Sequence, residues 1–356
     1  MKHKQEVAFI NREKELNFLA DYIAKRPSEI LFLHGPKSSG KTTVLYRFFE
    51  QFIRGEKLEV KFLNLREILI VNYKDFLQIF FNVDYEKSKE DVKEIREYDL
   101  KVFKAKIEVL KGMKEGRINP FSVMKKELIK LNDKNIKPVI VIDELQALGN
   151  IYMNGQRELI NELFNFFVAM TKESHLSHII ISSSDGYFID TIYNDSKLKK
   201  TSRFYKLDYL PEKDVREWLF NLDKYSKITN FELTEEGIQK IWDVVGGSAW
   251  EIQCVLSELF SKDIDTVLTE YKKQMRGIIV DYVVDDNRPI KEKILKRFQP
   301  FGTRISKEYF ESKEIDCLKN MVANNILYYD PVEAIFYPQG KSMEWGIQLF
   351  FNKQGG

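Results

Sequence analysis

The chain has 356 residues, of which 44% are hydrophobic and 31% charged, so it can bury the cores of two or three folded domains. Its formal net charge of +2 gives no evidence for a nucleic-acid or membrane partner. Its first residues lack the apolar run of a signal peptide, and no apolar run is long enough to span a bilayer. We therefore expect a cytoplasmic protein without a membrane segment. The two cysteines, Cys254 and Cys317, are not spaced as metal ligands.

A helix is predicted close to the start of the chain, because Asn11 can cap an acidic first turn and Leu19 and Ile23 lie on one face. This pattern is typical of an ordinary amphipathic helix. It is equally consistent with a second interpretation, in which Ile10 and Arg12 lie near a nucleotide base. The sequence leaves both interpretations open.

A phosphate-binding motif follows an apolar run at residues 30–33 and precedes helical spacing at residues 43–52. It reads Gly-Pro-Lys-Ser-Ser-Gly-Lys-Thr over residues 35–42, the pattern of nucleoside triphosphatases. A strand that turns through such a loop into a helix aims backbone N–H groups at one point, where phosphate binds. We expect Lys41 to reach the β- and γ-phosphates and Thr42 to ligate Mg²⁺. The predicted nucleotide contacts are Gly35, Pro36, Lys37, Ser38, Ser39, Gly40, Lys41, Thr42 and Thr43.

The next segment predicts a second strand at residues 59–64 and then a largely helical region over residues 73–131. In that region Phe103 and Leu110 fall on one broad helical face. Gly112, Gly116 and the dipeptide that begins at Asn119 interrupt the helical pattern.

A β-branched apolar run at residues 138–142 ends in Asp143 and Glu144. At this distance from the phosphate loop, such a run is the metal-side motif of phosphate-loop ATPases. We expect Asp143 to hold the hydration shell of Mg²⁺. Glu144 is expected to orient and polarise the attacking water.

A further strand, residues 177–184, ends in hydroxyl side chains. We expect Ser184, with Ser183 as the second choice, to sense the γ-phosphate, and the alternative is a hydroxyl-rich turn. Arg203 comes just ahead of a predicted fifth strand. It is expected to stabilise charge on the γ-phosphate in its own or a neighbouring subunit, and the alternative is a surface arginine.

Helical patterns dominate the chain after residue 210. Thr234 is placed to cap one helix, which ends at Gly246 and Gly247, and the whole segment has the pattern of a small helical lid. From residue 288 onward, two helices, a hairpin and a last helix follow the winged-helix pattern. We therefore predict a core at residues 1–210, a lid at 211–287 and a winged-helix-like domain at 288–356.

The charge of residues 288–356 bears on whether this tail binds DNA. It carries eleven basic and eight acidic side chains, a net charge of +3. The predicted recognition helix mixes Lys313 and Lys319 with Glu314 and Asp316, which is a weak footprint for DNA. A protein-contact module is the alternative.

Together these residues resemble the archaeal ATPase family, a branch of the AAA+-related signal-transduction ATPases with numerous domains (STAND). The resemblance rests on Phe-Ile-Asn-Arg-Glu-Lys-Glu-Leu at residues 9–16, the loop at 35–42, and Ile-Asp-Glu-Leu-Gln at 142–146. The serines at 182–184, the two lid glycines and the tail add to it, so it spans nearly the whole chain. Many families share the phosphate loop, whereas the other two runs are more particular to this family.

The resemblance implies an α/β fold: a P-loop NTPase parallel sheet with an AAA+-like helical lid and a C-terminal winged-helix-like domain. It also implies binding of ATP or ADP, and hydrolysis. This sequence departs from the family in two places. Members usually carry Gly-Ser where this chain has Ser183-Ser184, and Gly-Gly-x-Pro where it has Gly-Gly-Ser-Ala at residues 246–249.

Three functional hypotheses follow. The leading one is a Mg²⁺-dependent ATPase whose hydrolysis rearranges the lid and tail. The second is a nucleotide-gated binding switch with negligible turnover. The third is a DNA-handling ATPase that uses the tail, at residues 288–356, as its DNA reader. The expected partners are a nucleotide, an unidentified protein and, in the third hypothesis, DNA.

Overall fold

The computed structural model describes residues 9–52, 57–83, 103–153, 155, 157–195 and 198–352. Up to residue 210, the chain contains both helices and strands. They are α1 (Glu13–Ala24), β1 (Ile30–His34), α2 (Lys41–Phe52), β2 (Leu58–Asn64), α3 (Tyr73–Phe80), β3 (Asn82–Val83), β4 (Lys104–Ala105), α4 (Ile107–Lys114), α5 (Pro120–Asp133), β5 (Lys137–Asp143), β6 (Tyr152–Met153), β7 (Arg157–Glu158), α6 (Leu159–Val168), β8 (His178–Ser183), α7 (Gly186–Asp195) and β9 (Ser202–Lys206).

Five of these strands form one parallel sheet in the order β2-β5-β8-β1-β9. Its central strands are buried along almost their whole length, because helices cover both faces and each face packs into its own apolar cluster. Since the strands are parallel, their carboxyl ends meet at one edge, where His34 is in register with Ser183 and Asp143 with Ser182. The predicted α/β fold with a parallel sheet is confirmed.

The segment between β2 and β5 differs from its prediction. Phe103 is not on a continuous helical face with Leu110, because its backbone is left-handed (φ 64°) and it precedes the short strand β4. Its ring packs against Phe80 and Phe81 instead, so burial of aromatic rings decides its position. The part of the predicted helix at residues 84–102 lies outside the described residues.

Five helices follow the sheet: α8 (Glu212–Phe220), α9 (Leu222–Ser226), α10 (Glu235–Val245), α11 (Ala249–Glu258) and α12 (Ile264–Val283). Thr234 caps α10 by accepting a hydrogen bond from the backbone N–H of Gly237 at 3.1 Å. Gly247 lies where a Cβ would approach the carbonyl oxygen of Leu210 to 1.8 Å, so this crossing of two backbones requires glycine. We call residues 212–283 the helical segment.

The tail contains α13 (Arg288–Arg297), β10 (Ile305–Ser306), α14 (Ser312–Ala323), β11 (Leu327–Asp330), β12 (Ile335–Pro338) and α15 (Lys341–Asn352). Its three strands form an antiparallel sheet in the order β10-β12-β11. The predicted helices and hairpin are therefore present, while the winged-helix assignment stays a prediction. In the described part of the chain, no helix combines the length and the apolar character needed to cross a bilayer.

Helix α12 belongs to two apolar clusters at once. Val267 and Leu268 pack with the other helices of the helical segment, whereas Met275 and Ile279 pack with the tail. Gly346 of α15 allows close approach here, because a Cβ at that position would lie 2.9 Å from the carbonyl oxygen of Met275. The domain boundary predicted at residue 287 stays a prediction. Helix α12 packs with the segments on both sides of that boundary.

The hairpin of β11 and β12 is docked on the carboxyl edge of the large sheet. His34 Nδ1 lies 2.8 Å from the Tyr328 hydroxyl, and Lys206 Nζ lies 3.1 Å from a carboxylate oxygen of Asp330. Residues 327–330 are buried. Because these polar groups are withdrawn from water, their pairing fixes where the hairpin sits.

Gly186 provides a test of this docking, because a Cβ there would lie 1.9 Å from the carbonyl oxygen of Tyr329. We expect Gly186→Ala to lower the free energy of unfolding by about 1–3 kcal/mol through steric overlap. The matched control is Gly277→Ala in α12, where a Cβ meets nothing within 4 Å and the same change should raise stability by about 0.5–1 kcal/mol. Chemical denaturation measures both. Equal effects of the two substitutions would contradict the docking.

His34 predicts a pH dependence of stability. Burial lowers its pKa from 6.5 to about 4, against the attraction of the Asp330 carboxylate. The unfolded chain therefore binds more protons than the folded chain between these values, and stability falls as the pH drops from 6.5 toward 4, by up to about 3 kcal/mol. Unfolding titrations across this range should show a smaller decline for His34→Gln than for the wild type. An equal decline in both proteins would show that His34 is not buried in its neutral form.

Candidate functional site

The phosphate loop lies between β1 and α2, at the carboxyl edge of the sheet. Lys41 is 5% exposed, and its ammonium group donates to the carbonyl oxygens of Gly35 at 2.8 Å and Pro36 at 2.9 Å. Burial lowers the pKa of Lys41 to about 8, although the carboxylates of Glu144 and Asp143 act in the opposite direction. The loop thus holds a buried cation through its own carbonyl groups.

The start of α1 is attached to the back of this loop. Arg12 donates through Nη2 to the carbonyl oxygens of Ser39 at 3.0 Å and Asp208 at 2.9 Å. Ile10 is 2% exposed and packs into the apolar cluster of the helical segment beside Leu210. Arg12 therefore joins the loop to the connection that leads into the helical segment, and contact of Arg12 or Ile10 with a base stays a prediction.

Thr42 and Asp143 face each other, as the two motifs predict. The Thr42 hydroxyl donates to Asp143 Oδ2 at 2.5 Å. Asp143 is fully buried, and its other carboxylate oxygen, Oδ1, has no hydrogen-bond partner among the described residues. A hydroxyl and a buried carboxylate oxygen without a partner form the all-oxygen donor set that suits Mg²⁺.

Glu144 has a left-handed backbone, with φ 60° and ψ 48°, and its N–H donates to the carbonyl oxygen of Ser182 at 2.8 Å. Such a conformation is costly for a residue with a Cβ and occurs mainly where the surrounding structure enforces it. The side chain of Glu144 is paired with Arg66, whose Nη2 lies 2.5 Å from Glu144 Oε1.

The other carboxylate oxygen of Glu144, Oε2, has two donors. Ser184 donates through Oγ at 3.3 Å, and Gln146 donates through its side-chain amide. Ser183 in turn donates to Gln146 Oε1 at 2.8 Å. The structure therefore brings Ser184 to Glu144, and Ser183 to the same cluster through Gln146.

Arg66 and Gln146 were not predicted as site residues. Gln146 is the last residue of the run at 142–146, which indicates the family but does not by itself assign a role to the glutamine. Arg66 follows β2 by two residues, and β2 neighbours β5 in the sheet, so that Asn64 is in register with Asp143. A charged residue just after a neighbouring parallel strand was the signal that could have located it.

Arg203 lies away from this site in its own chain. It lies inside β9 in register with Leu31, four residues before Gly35, or about 13 Å along the strand. Its guanidinium pairs with Glu29 Oε1 at 2.6 Å, so the ion pair holds it toward the amino end of the sheet. A role at the site of a neighbouring subunit stays a prediction.

A cleft of about 880 Å³ opens beside the loop, between Lys37, Arg66, helices α11 and α12, and the tail. The Tyr209 hydroxyl donates to the carbonyl oxygen of Lys37 at 2.9 Å. Across the cleft, Glu251 accepts a hydrogen bond from the Ser342 hydroxyl at 2.7 Å, and burial raises the pKa of Glu251 to about 7. The volume is in the range of small-molecule sites.

Solved structures share this architecture at low sequence identity. The Walker-type ATPase of Pyrococcus abyssi superposes with a TM-score of 0.67 at 15% identity, over 98% of this chain and 99% of that one. The ORC2 protein of Aeropyrum pernix, solved with ADPNP and ADP, superposes with a TM-score of 0.52 at 12% identity, over 100% and 98% of the two chains. These similarities show the P-loop ATPase fold.

Sequence comparison identifies the family. The model of an ATPase domain found predominantly in Archaea matches residues 9–255. Two uncharacterized ATP-binding proteins of Methanocaldococcus jannaschii are similar over nearly their whole length: MJ1076 is 34% identical over 97% of this chain and 99% of its own, and MJ1659 is 31% identical over 94% of each. With a phosphate loop that faces a buried aspartate and glutamate, the chain belongs to the archaeal ATPase family of ATP-binding proteins.

Proposed function

We propose that the protein is a Mg²⁺-dependent ATPase whose binding and hydrolysis of ATP rearrange the helical segment and the tail. The observation that carries this proposal is the meeting of Thr42, Asp143 and Glu144 at one point of the sheet edge, beside the phosphate loop. Phosphoryl transfer needs little else from a protein, because positioning and charge stabilisation supply most of the catalysis.

Each residue has a role that its position supports. The loop amides and Lys41 would bind the β- and γ-phosphates, and the ammonium group would exchange two carbonyl partners for phosphate oxygens. Glu144 would orient the attacking water and accept its proton. Ser184, which touches the Glu144 carboxylate, would report the presence of the γ-phosphate.

Mg²⁺ would be held by Thr42 and Asp143, the two residues whose oxygen atoms already face each other. When bound, the ion would neutralise charge on the phosphate oxygens. Removal of divalent cations is therefore expected to abolish turnover.

Coupling to the rest of the chain would run through contacts made by the loop and the strand before it. Tyr209, in the connection that leads into the helical segment, is bonded to the Lys37 carbonyl, and Tyr328 of the tail is bonded to His34. A shift of the loop on nucleotide binding would strain both contacts. We propose residues 1–210, 211–287 and 288–356 as the units that move.

A nucleotide-gated switch with negligible turnover is the second candidate. It is favoured by the ion pair between Arg66 and Glu144, because the guanidinium occupies a carboxylate oxygen that would otherwise be open to the attacking water. In this case a partner protein, rather than ATP itself, would release Glu144.

The DNA hypothesis has less support from the tail. Lys313 and Lys319 of α14 pair with acidic neighbours of the same region, Glu311 and Asp316. Strand β11 of the hairpin is buried against the sheet edge. Binding of DNA through β11 itself would require this strand to leave the core.

Lys41→Ala should abolish tight binding of ATP, because it removes the buried ammonium group that would pair with the β- and γ-phosphates. For the wild type, binding near pH 8 should take up about half a proton, since a lysine with a pKa of about 8 becomes fully protonated against phosphate. Calorimetry in two buffers of different ionisation enthalpy measures both quantities. Lys125→Ala, on the exposed surface of α5, is the matched control. Unchanged affinity of Lys41→Ala would exclude the loop as the ATP site.

Glu144→Gln should keep ATP binding and lose turnover by a factor of about 10²–10⁴, because the amide cannot accept the proton of the attacking water. Phosphate release in a single turnover is the measurement, with and without duplex DNA, and Glu173→Gln on the surface is the control. Normal turnover in Glu144→Gln would exclude the proposed base. ATP that survives for hours on the wild type would favour the switch, and stimulation by DNA would restore the third hypothesis.

A further inference from the structure

A chain of hydrogen bonds links the end of β8 to the Glu144 carboxylate. The backbone N–H of Asp185 donates to Ser183 Oγ at 3.0 Å, and the Ser183 hydroxyl donates to Gln146 Oε1 at 2.8 Å. The amide nitrogen of Gln146, Nε2, then donates to Glu144 Oε2. Ser183 is fully buried and Gln146 half-buried, so water competes weakly for these contacts.

The direction of this chain fixes the orientation of the Gln146 amide. Ser183 Oγ accepts the Asp185 N–H, which leaves the hydroxyl hydrogen free for an acceptor. The Glu144 carboxylate can only accept hydrogen bonds, so the amide nitrogen must face it, and the amide oxygen then accepts from Ser183. The reverse orientation would place the amide oxygen against the carboxylate oxygen of Glu144 and lose that bond.

The backbone around Gln146 is fixed by packing. Gln146 lies in the 3-10 turn Leu145–Leu148, and the side chains of Leu145 and Leu148 are each 1% exposed in the large apolar cluster below the sheet edge. The residue before the turn is Glu144, whose backbone is left-handed and whose carboxylate accepts the hydrogen bond from Gln146. The amide therefore reaches Glu144 from a rigid support.

We propose that Gln146 is a positioning residue that sets the orientation of the Glu144 carboxylate and links it to Ser183 at the end of β8. The proposal rests on the ATPase function proposed above and assigns a role to a residue that does not itself touch the phosphate loop. A shift of Ser183 when the γ-phosphate is present would rotate the amide and, through it, the base.

Gln146→Ala and Ser183→Ala test this role in the full-length protein. Each should lower kcat about tenfold to a hundredfold, because misplacement of a catalytic group by about an ångström has an effect of that size. The KM and the affinity for ATP should stay within about twofold of the wild type. The double variant should lose no more than Gln146→Ala alone, since both substitutions break the same chain of bonds.

Gln146→Glu adds a measurement that needs neither nucleotide nor turnover. It preserves the shape of the side chain but places two carboxylates in contact, and two such groups cannot both ionise freely. Its loss of thermal stability relative to the wild type should therefore deepen as the pH rises from about 4.5 to 7, where the unfolded chain releases these protons. Gln78→Glu, in α3 beside the ammonium group of Lys114, is the matched control and should show no such deepening.

The outcomes separate the two proposals. If the wild type does not hydrolyse ATP, the ATPase function fails and the role of Gln146 fails with it. A second outcome is that turnover depends on Glu144 but is unchanged in Gln146→Ala, and that the stability loss of Gln146→Glu does not vary with pH. In that case only the positioning role of Gln146 is overturned. A raised KM with unchanged kcat in Gln146→Ala would likewise overturn it, because the amide would then contact nucleotide.

Discussion

A buried ammonium group is the constraint around which the site is built. Lys41 has almost no contact with water, and its charge is balanced by two carbonyl groups of its own loop and by the nearby Asp143 and Glu144 carboxylates. A buried charge is stable only where such partners surround it. The turn of the loop, which aims two carbonyl groups at the ammonium group, and the carboxylates at the end of β5 meet this requirement.

The same sheet edge also receives the tail. His34 ends the strand that leads into the loop, and its ring faces Tyr328 of the hairpin. Lys206, at the end of the neighbouring strand β9, pairs with Asp330. The loop and the hairpin are therefore attached to the same two strands, and α12 packs with both the helical segment and the tail. This arrangement gives a physical route by which a change at the nucleotide could reach the end of the chain.

Local patterns were sufficient to predict the parallel sheet, the phosphate loop and the strand that ends at Asp143, because each depends on a few adjacent residues. The tail hairpin was predictable for the same reason. The docking of that hairpin on His34 was not, since it joins residues 294 positions apart and no periodicity encodes such a pair. The place of Arg203 relative to the site was not predictable, because sequence shows that a strand is near but not which end of it faces the site.

The residues around Glu144 illustrate the same limit. Its place after an apolar strand identified it, but its left-handed backbone and its contacts with Arg66 and Gln146 depend on which strands are neighbours. Strand order is a property of the whole sheet. The order of the strands depends on how the whole sheet buries its apolar side chains, so it cannot be predicted from the sequence of one strand.

A structure of the full chain with Mg²⁺ and a non-hydrolysable ATP analogue would show whether nucleotide binds at the loop. We expect Lys41 to leave the carbonyl oxygens of Gly35 and Pro36 for the phosphates, and the direct contact of Thr42 with Asp143 to give way to a shared ion. We also expect Glu144 to face the γ-phosphate with Gln146 still bonded to it. A nucleotide bound away from the loop, with Lys41 still on its carbonyl groups, would exclude this sheet edge as the site of ATP hydrolysis.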